Sequence, residues 1–156
     1  MQTISINKKN ALTAYKNADK PGKKLLSDLL GTEVLSEKTT DRIKTFEDAC
    51  EELAVEPAKV IPFSSPADDH QEALNAVAKI FIIAKALNGD WKADFSNKDQ
   101  YKYYPWFRFI PGSGLSYRGC DCWATHSPCG VRLCYKDAET AEYTGKQFLD
   151  IYKKFL

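Results

Sequence analysis

Three thiols and an imidazole stand within ten residues of this 156-residue chain, at Cys120, Cys122, His126 and Cys129. Thiolate and imidazole ligands are what a tetrahedral Cys3His zinc site requires, and Cys134 follows closely. The spacing argues the other way. There is no Cys-x2-Cys pair, and one tight loop would have to supply all four ligands, so free cysteines on a connection are the competing reading. A nucleophile pair of Cys129 with His126 would need an electropositive setting and an orienting third group, and the sequence identifies neither. Asp68-Asp69-His70 resembles a metal cluster, yet acids in a first helical turn are accounted for by the helix dipole. Pro21-Gly22-Lys23-Lys24 lacks the Gly and the Ser or Thr of a phosphate loop. With no His and no carboxylate pair in a catalytic frame, the sequence predicts a non-enzyme with no cofactor beyond the zinc option.

The denser chemical feature is aromatic. Between Trp91 and Trp123 the chain places ten of its nineteen aromatic residues, interleaved with Lys and Arg. Rings beside cations can stack bases and hold phosphates of single-stranded nucleic acid or a nucleotide. The candidate ligand-binding residues are Trp91, Lys98, Tyr101, Lys102, Tyr104, Trp106, Arg108 and Arg118. The same rings also suit the core of a small sheet, which is their commoner use. Phe107 and Phe109, alternating around Arg108, fit that arrangement.

These residues must be positioned by a chain of ordinary globular composition, 44% hydrophobic and 28% charged. Net charge is +1, so whole-molecule charge predicts no affinity for nucleic acid or acidic membranes. Its distribution is uneven: +4 over residues 1–30, −6 over 31–90, +4 over 91–136 and −1 thereafter. No apolar signal region opens the sequence, and the longest apolar run, Ala76 to Leu87, is far short of the roughly 20 residues that cross a bilayer. Five cysteines without an export signal suit a reducing compartment. A cytoplasmic protein with no membrane partner is expected.

The pattern predicts an α+β fold: N-terminal helices with one buried central helix, a small three-stranded antiparallel meander, and a C-terminal helix. Leu25, Leu26, Leu29 and Leu30 form a helical face closed by Gly31, and Pro21-Gly22 separates it from a shorter helix before it. Thr32 to Arg42 reads as an exposed connector. Thr45 with Asp48 makes a capping box. Ser65 and Pro66 open the central helix, apolar on most of its circumference, and Asn88-Gly89 stops it. Tyr103–Ile110, Leu115–Cys120 and Val131–Tyr135 are the three strands, with a turn at Pro111–Gly114. Asp137 caps the last helix, where Gly145 marks close packing. One domain spans 1–156: a compact core at 45–156, and a helical segment 1–31 whose docking on it the sequence leaves open.

Three blocks, Asp99 to Phe107, Val131 to Lys136 and Ala141 to Phe148, resemble a family of small uncharacterised proteins. That family is carried by phages and mobile elements of gut anaerobic bacteria, and the resemblance covers about residues 45–156. It implies an accessory protein acting in the bacterial cytoplasm or in a virion. It assigns no activity and no site residue, and the Cys120–Cys129 cluster is not part of the family pattern. The expectation is therefore a non-enzymatic phage or mobile-element accessory binding protein that uses its basic aromatic surface on nucleic acid, a nucleotide or a host protein. Two alternatives stand beside it: a structural or assembly protein with that surface as its subunit interface, and a small zinc-binding protein.

Overall fold

A computed structural model describes residues 6–35, 38–127 and 130–156. The chain divides into two compact units between Arg42 and Ile43. The first holds α1 (Lys8–Asn17), α2 (Lys20–Leu30), α3 (Thr32–Leu35) and α4 (Thr39–Arg42). Asp19 caps α2 by accepting the Gly22 N–H at 2.9 Å. The cap draws Pro21 and Gly22 into the first turn, where the missing proline N–H costs nothing, so the pair does not separate two helices as predicted. Ala11, Leu12 and Leu35 are buried where the first three helices pack on one another. The predicted connector thus contains two short helices and a buried leucine. Leu25 and Leu29 are exposed.

The second unit contains α5 (Phe46–Glu52), α6 (Pro57–Val60), α7 (Asp69–Asn88), β1 (Lys102–Ile110), β2 (Gly114–Trp123), α8 (Ala138–Gln147) and α9 (Leu149–Tyr152). It is α+β, with a two-stranded antiparallel sheet and a C-terminal helical pair. Helix α5 starts with the predicted capping box: Asp48 takes the Thr45 N–H at 2.8 Å, and Thr45 takes that of Asp48 at 3.1 Å. A further bond from the Lys44 N–H is the main cause holding the Asp48 carboxyl below its usual range. Helix α7 begins three residues later than Ser65 and Pro66 suggest. Asp68 and Gln71 cap it reciprocally, Asp68 taking the Gln71 N–H and Gln71 taking the Ala67 N–H, both at 2.9 Å. Gly89, at φ 59°, ends it as expected. Ile80, Ile83, Ala84 and Leu87 of α7 meet Phe46, Ala49 and Cys50 of α5, with Tyr135, Ala141, Phe148 and Tyr152 closing the core.

The third predicted strand is not there. Val131–Tyr135 contributes one isolated antiparallel bridge, Tyr103 with Tyr135, with N–H to carbonyl bonds of 3.0 and 2.8 Å. In an antiparallel ladder the next residues to exchange bonds would be two steps along each chain, which sets Leu133 opposite Pro105. Proline has no N–H to give, and pairing stops. Asn88 serves the other side of this segment: its Nδ2 donates to the Cys134 carbonyl at 2.8 Å, and its Oδ1 accepts the Lys136 N–H at 3.0 Å. One side-chain amide therefore replaces a neighbouring strand.

Helix α8 lies against both strands. At Gly145 a Cβ would stand 2.6 Å from the Tyr117 ring and 2.8 Å from the Pro105 Cβ, too close for any methyl group. Gly145→Ala is therefore expected to destabilise the unit by about 1–3 kcal/mol, despite alanine's better helix propensity. The shift of the urea midpoint measures it; an unchanged or raised midpoint would show that the helix can back away from the hairpin.

Candidate binding surface

Most of the predicted binding residues lie on the hairpin. The register pairs Lys102 with Trp123, Tyr104 with Asp121, Trp106 with Gly119 and Arg108 with Ser116 on one face. Tyr103, Pro105, Phe107 and Phe109 point to the other, towards the helices. A bulge at Arg118, between the partners of Trp106 and Phe107, leaves one extra residue on β2.

Two of the predicted contact residues are not on the surface. Lys102 is 0% exposed. Its ammonium donates to the carbonyls of Gln100 at 2.6 Å, Ala124 at 2.7 Å and Asn97 at 3.4 Å, and to that of Asp94. It also lies 5.0 Å from the centre of the Phe95 ring. Among the described residues no carboxylate makes an ion pair with it, although its charge helps to keep the nearby Asp94 carboxyl ionised. Four backbone carbonyls of two loops and one ring face replace water around the charge. The loop of residues 91–101 is tied further by Gln100, which accepts the Asp94 N–H at 2.6 Å and donates to the Lys92 carbonyl at 3.0 Å. Hydrogen bonds from Ser96 hold the Asp94 carboxyl below its ordinary range. Tyr104, only 2% exposed, is the second correction. Its hydroxyl reaches the His126 carbonyl at 3.5 Å, beneath the loop that follows β2.

The remaining candidates reach solvent. Trp106 is 53% exposed, Arg108, Arg118, Tyr101 and Lys98 are exposed, and Trp91 is half-buried. Trp106 stands opposite Gly119, where a Cβ would meet nothing, so the ring borders open space. Arg108 shares its face two residues on. Sequence reasoning missed their apolar neighbours: Phe109, 65% exposed, and Ile110 at the hairpin tip. The available signal was the Phe109-Ile110 pair directly before the turn, at the far end of the strand from the bridged Tyr103. Along the outer edge of β1 runs an apolar cleft of about 290 Å3, whose walls include Trp106, Phe107, Phe109, Leu115, Tyr152 and Phe155. Among the described residues, no Asp or Glu side chain lines it.

The predicted metal ligands do not assemble. Cys129 lies outside the described residues, and among those described no three His, Cys, Asp or Glu side chains converge to hold a metal ion. Cys120 and Cys122 lie on the helix-facing side of β2, whereas His126 is exposed on the loop, edge-on to Trp123 at 5.9 Å. Burial raises the Cys120 thiol, helped by Glu142, and pushes the Cys134 thiol up to about 11. Among the described residues, no helix is long and apolar enough to cross a membrane. No protein-family model, curated protein or solved structure matches the chain.

Lys102→Met keeps the stem and removes the donor, leaving the carbonyls of two loops without their shared partner. It is expected to destabilise the unit by about 2–4 kcal/mol, and hydrogen exchange should speed up across residues 94–101. Protection unchanged in that loop would mean that the ammonium does not hold it. The thiols offer a separate check. A raised thiol pKa leaves less thiolate at a given pH, so at pH 8 iodoacetamide should modify buried Cys134 at least about tenfold more slowly than half-exposed Cys122. The difference should vanish in guanidinium; equal rates in the native protein would contradict the buried placement.

Proposed function

We propose that the protein is a non-enzymatic accessory binding protein that engages another protein through the β-hairpin. One observation carries this reading: Trp106 and Phe109 expose their side chains at an apolar cleft, and Arg108 and Ile110 are exposed next to them on the same strand. Contiguous apolar surface on a small domain favours a partner that covers it, and Trp, Phe and Arg are the residue types enriched at the centre of protein interfaces. The resemblance of residues 45–156 to a phage and mobile-element family supports the accessory role. What it implies is an action within a bacterial cell or a virion.

A protein partner is favoured over nucleic acid on charge. With Lys102 enclosed, the belt keeps Lys92, Lys98, Arg108 and Arg118 exposed. The unit from Ile43 to Leu156 carries fourteen basic against sixteen acidic residues, a net −2. Phosphate contacts dominate affinity for nucleic acid and call for net positive surface. The second reading, a single strand or nucleotide stacked on the outer face, rests on Trp106 and Arg108 sharing that face beside open space at Gly119.

A benzophenone side chain placed at Trp106 should crosslink to one discrete partner protein in cells that carry the gene. The same group at exposed Glu51 should not. Tryptophan fluorescence quenched by oligothymidylate, and restored by salt, would move the assignment to the second reading. Crosslinking no stronger at 106 than at 51, together with no quenching, would overturn the binding-module reading.

A further inference from the structure

The open edge of β1 carries more information than its apolar lining. Tyr103 directs its N–H and carbonyl away from β2, to Tyr135. Alternate residues of an antiparallel strand point the same way, so Pro105, Phe107 and Phe109 also turn their backbone groups outward. The carbonyl of Arg108, one residue out of phase, accepts the Ser116 hydroxyl of β2 at 3.2 Å, as this alternation demands. The outward N–H and C=O groups of Phe107 and Phe109 have no partner among the described residues. The apolar cleft runs beside these groups.

An edge with unpaired backbone donors above an apolar groove is the geometry of strand addition, in which main-chain bonds supply register and alternate side chains fill pockets. The chain's own Tyr135 already docks on this edge in antiparallel sense, with two bonds, at the one position short of Pro105. Charge constrains what fills the rest. Arg108 and Arg132, on the strand and beside the cleft-lining Leu133, are exposed and have no carboxylate partner among the described residues. We infer that an extended segment of an acidic partner protein adds to β1 as an antiparallel strand across Pro105–Phe109. Its apolar side chains enter the cleft, and its carboxylates face Arg108 and Arg132. This inference rests on the binding-module reading and specifies its partner.

The test uses the full chain and a capped heptapeptide, Thr-Val-Glu-Phe-Glu-Val-Thr, which alternates apolar and acidic positions, with binding followed by tryptophan fluorescence in a chain whose Trp91 and Trp123 are replaced by Phe. A peptide with both glutamates replaced by lysine should bind at least about tenfold more weakly. Phe109→Pro removes one outward N–H and no bond to β2, but also the ring. It should weaken the acidic peptide about tenfold more than Phe109→Ala, which removes the ring and keeps the N–H, the equivalent of one or two hydrogen bonds. Arg108→Glu should invert the preference between the two peptides, and circular dichroism should match the wild type for all three variants. Equal affinity for both peptides, or no difference between Phe109→Pro and Phe109→Ala in folded proteins, would overturn the inference. So would a concentration-dependent dimer that Phe109→Pro dissociates, because the edge would then belong to a second copy. If crosslinking at Trp106 still captures one partner while the peptide fails, strand addition falls and the binding-module reading stands.

Discussion

A single missing proton shapes the functional half of this molecule. Pro105 sits on the outer side of β1 with its ring nitrogen where the ladder calls for an N–H. The segment that returns along this edge pairs at Tyr103 and must then leave. From that departure follow the two-stranded sheet, the cleft between β1 and the C-terminal helices, and backbone groups at Phe107 and Phe109 that find no partner among the described residues. Proline in a strand is tolerated only at an edge; here it also determines how much of the edge stays open.

The backbone groups that lose strand partners around the hairpin are satisfied by side chains instead. Asn88 stands in for a peptide on the free side of residues 134–136. Asn75, thirteen residues earlier on the same helix, brackets Phe63 in the same way, with bonds of 3.0 and 2.8 Å. Lys102 is the extreme case, one ammonium serving carbonyls from the loops on both sides of the hairpin. A buried cation is costly unless its donors are all used, and the four carbonyls around the Lys102 ammonium meet that condition. The outcome is a hairpin tied at its base, at Lys102 and Tyr103, and exposed at its tip.

Local signals in the sequence were legible and long-range ones were not. The Thr45–Asp48 box, the Asn88-Gly89 stop, the Asp137 cap and the strand–turn–strand around Pro111–Gly114 are each decided by neighbours within a few residues. Gly145 was legible too, as a position that must admit another element closely. The failures share a cause. Whether Val131–Tyr135 becomes a strand depends on Pro105, some thirty residues away. Whether Lys102 is a surface cation depends on where the carbonyls of 94–100 and Ala124 end up. Alternation correctly put Phe107 and Phe109 on one face, but alternation cannot say how far the helices extend along it. Phe107 packs on Tyr152 with ring centres 4.6 Å apart, whereas Phe109 lies beyond their reach. For the candidate surface, then, the sequence named the right residue types but could not sort the caged from the exposed.

An open edge beside exposed aromatics is also a hazard, and its dimensions decide how it behaves. Each backbone bond contributes about 1 kcal/mol net, while association costs several kcal/mol in lost freedom. Two outward N–H groups and their adjoining carbonyls cannot offset that cost alone, so an arbitrary strand that pairs here gains nothing. Pro105 stops the ladder at one end, the Pro111–Gly114 turn stops it at the other, and Arg108 between them repels basic segments. A bound strand must therefore draw most of its affinity from side chains that fill the cleft and meet the two arginines. The same brevity that protects the edge from indiscriminate pairing makes any pairing it does support selective.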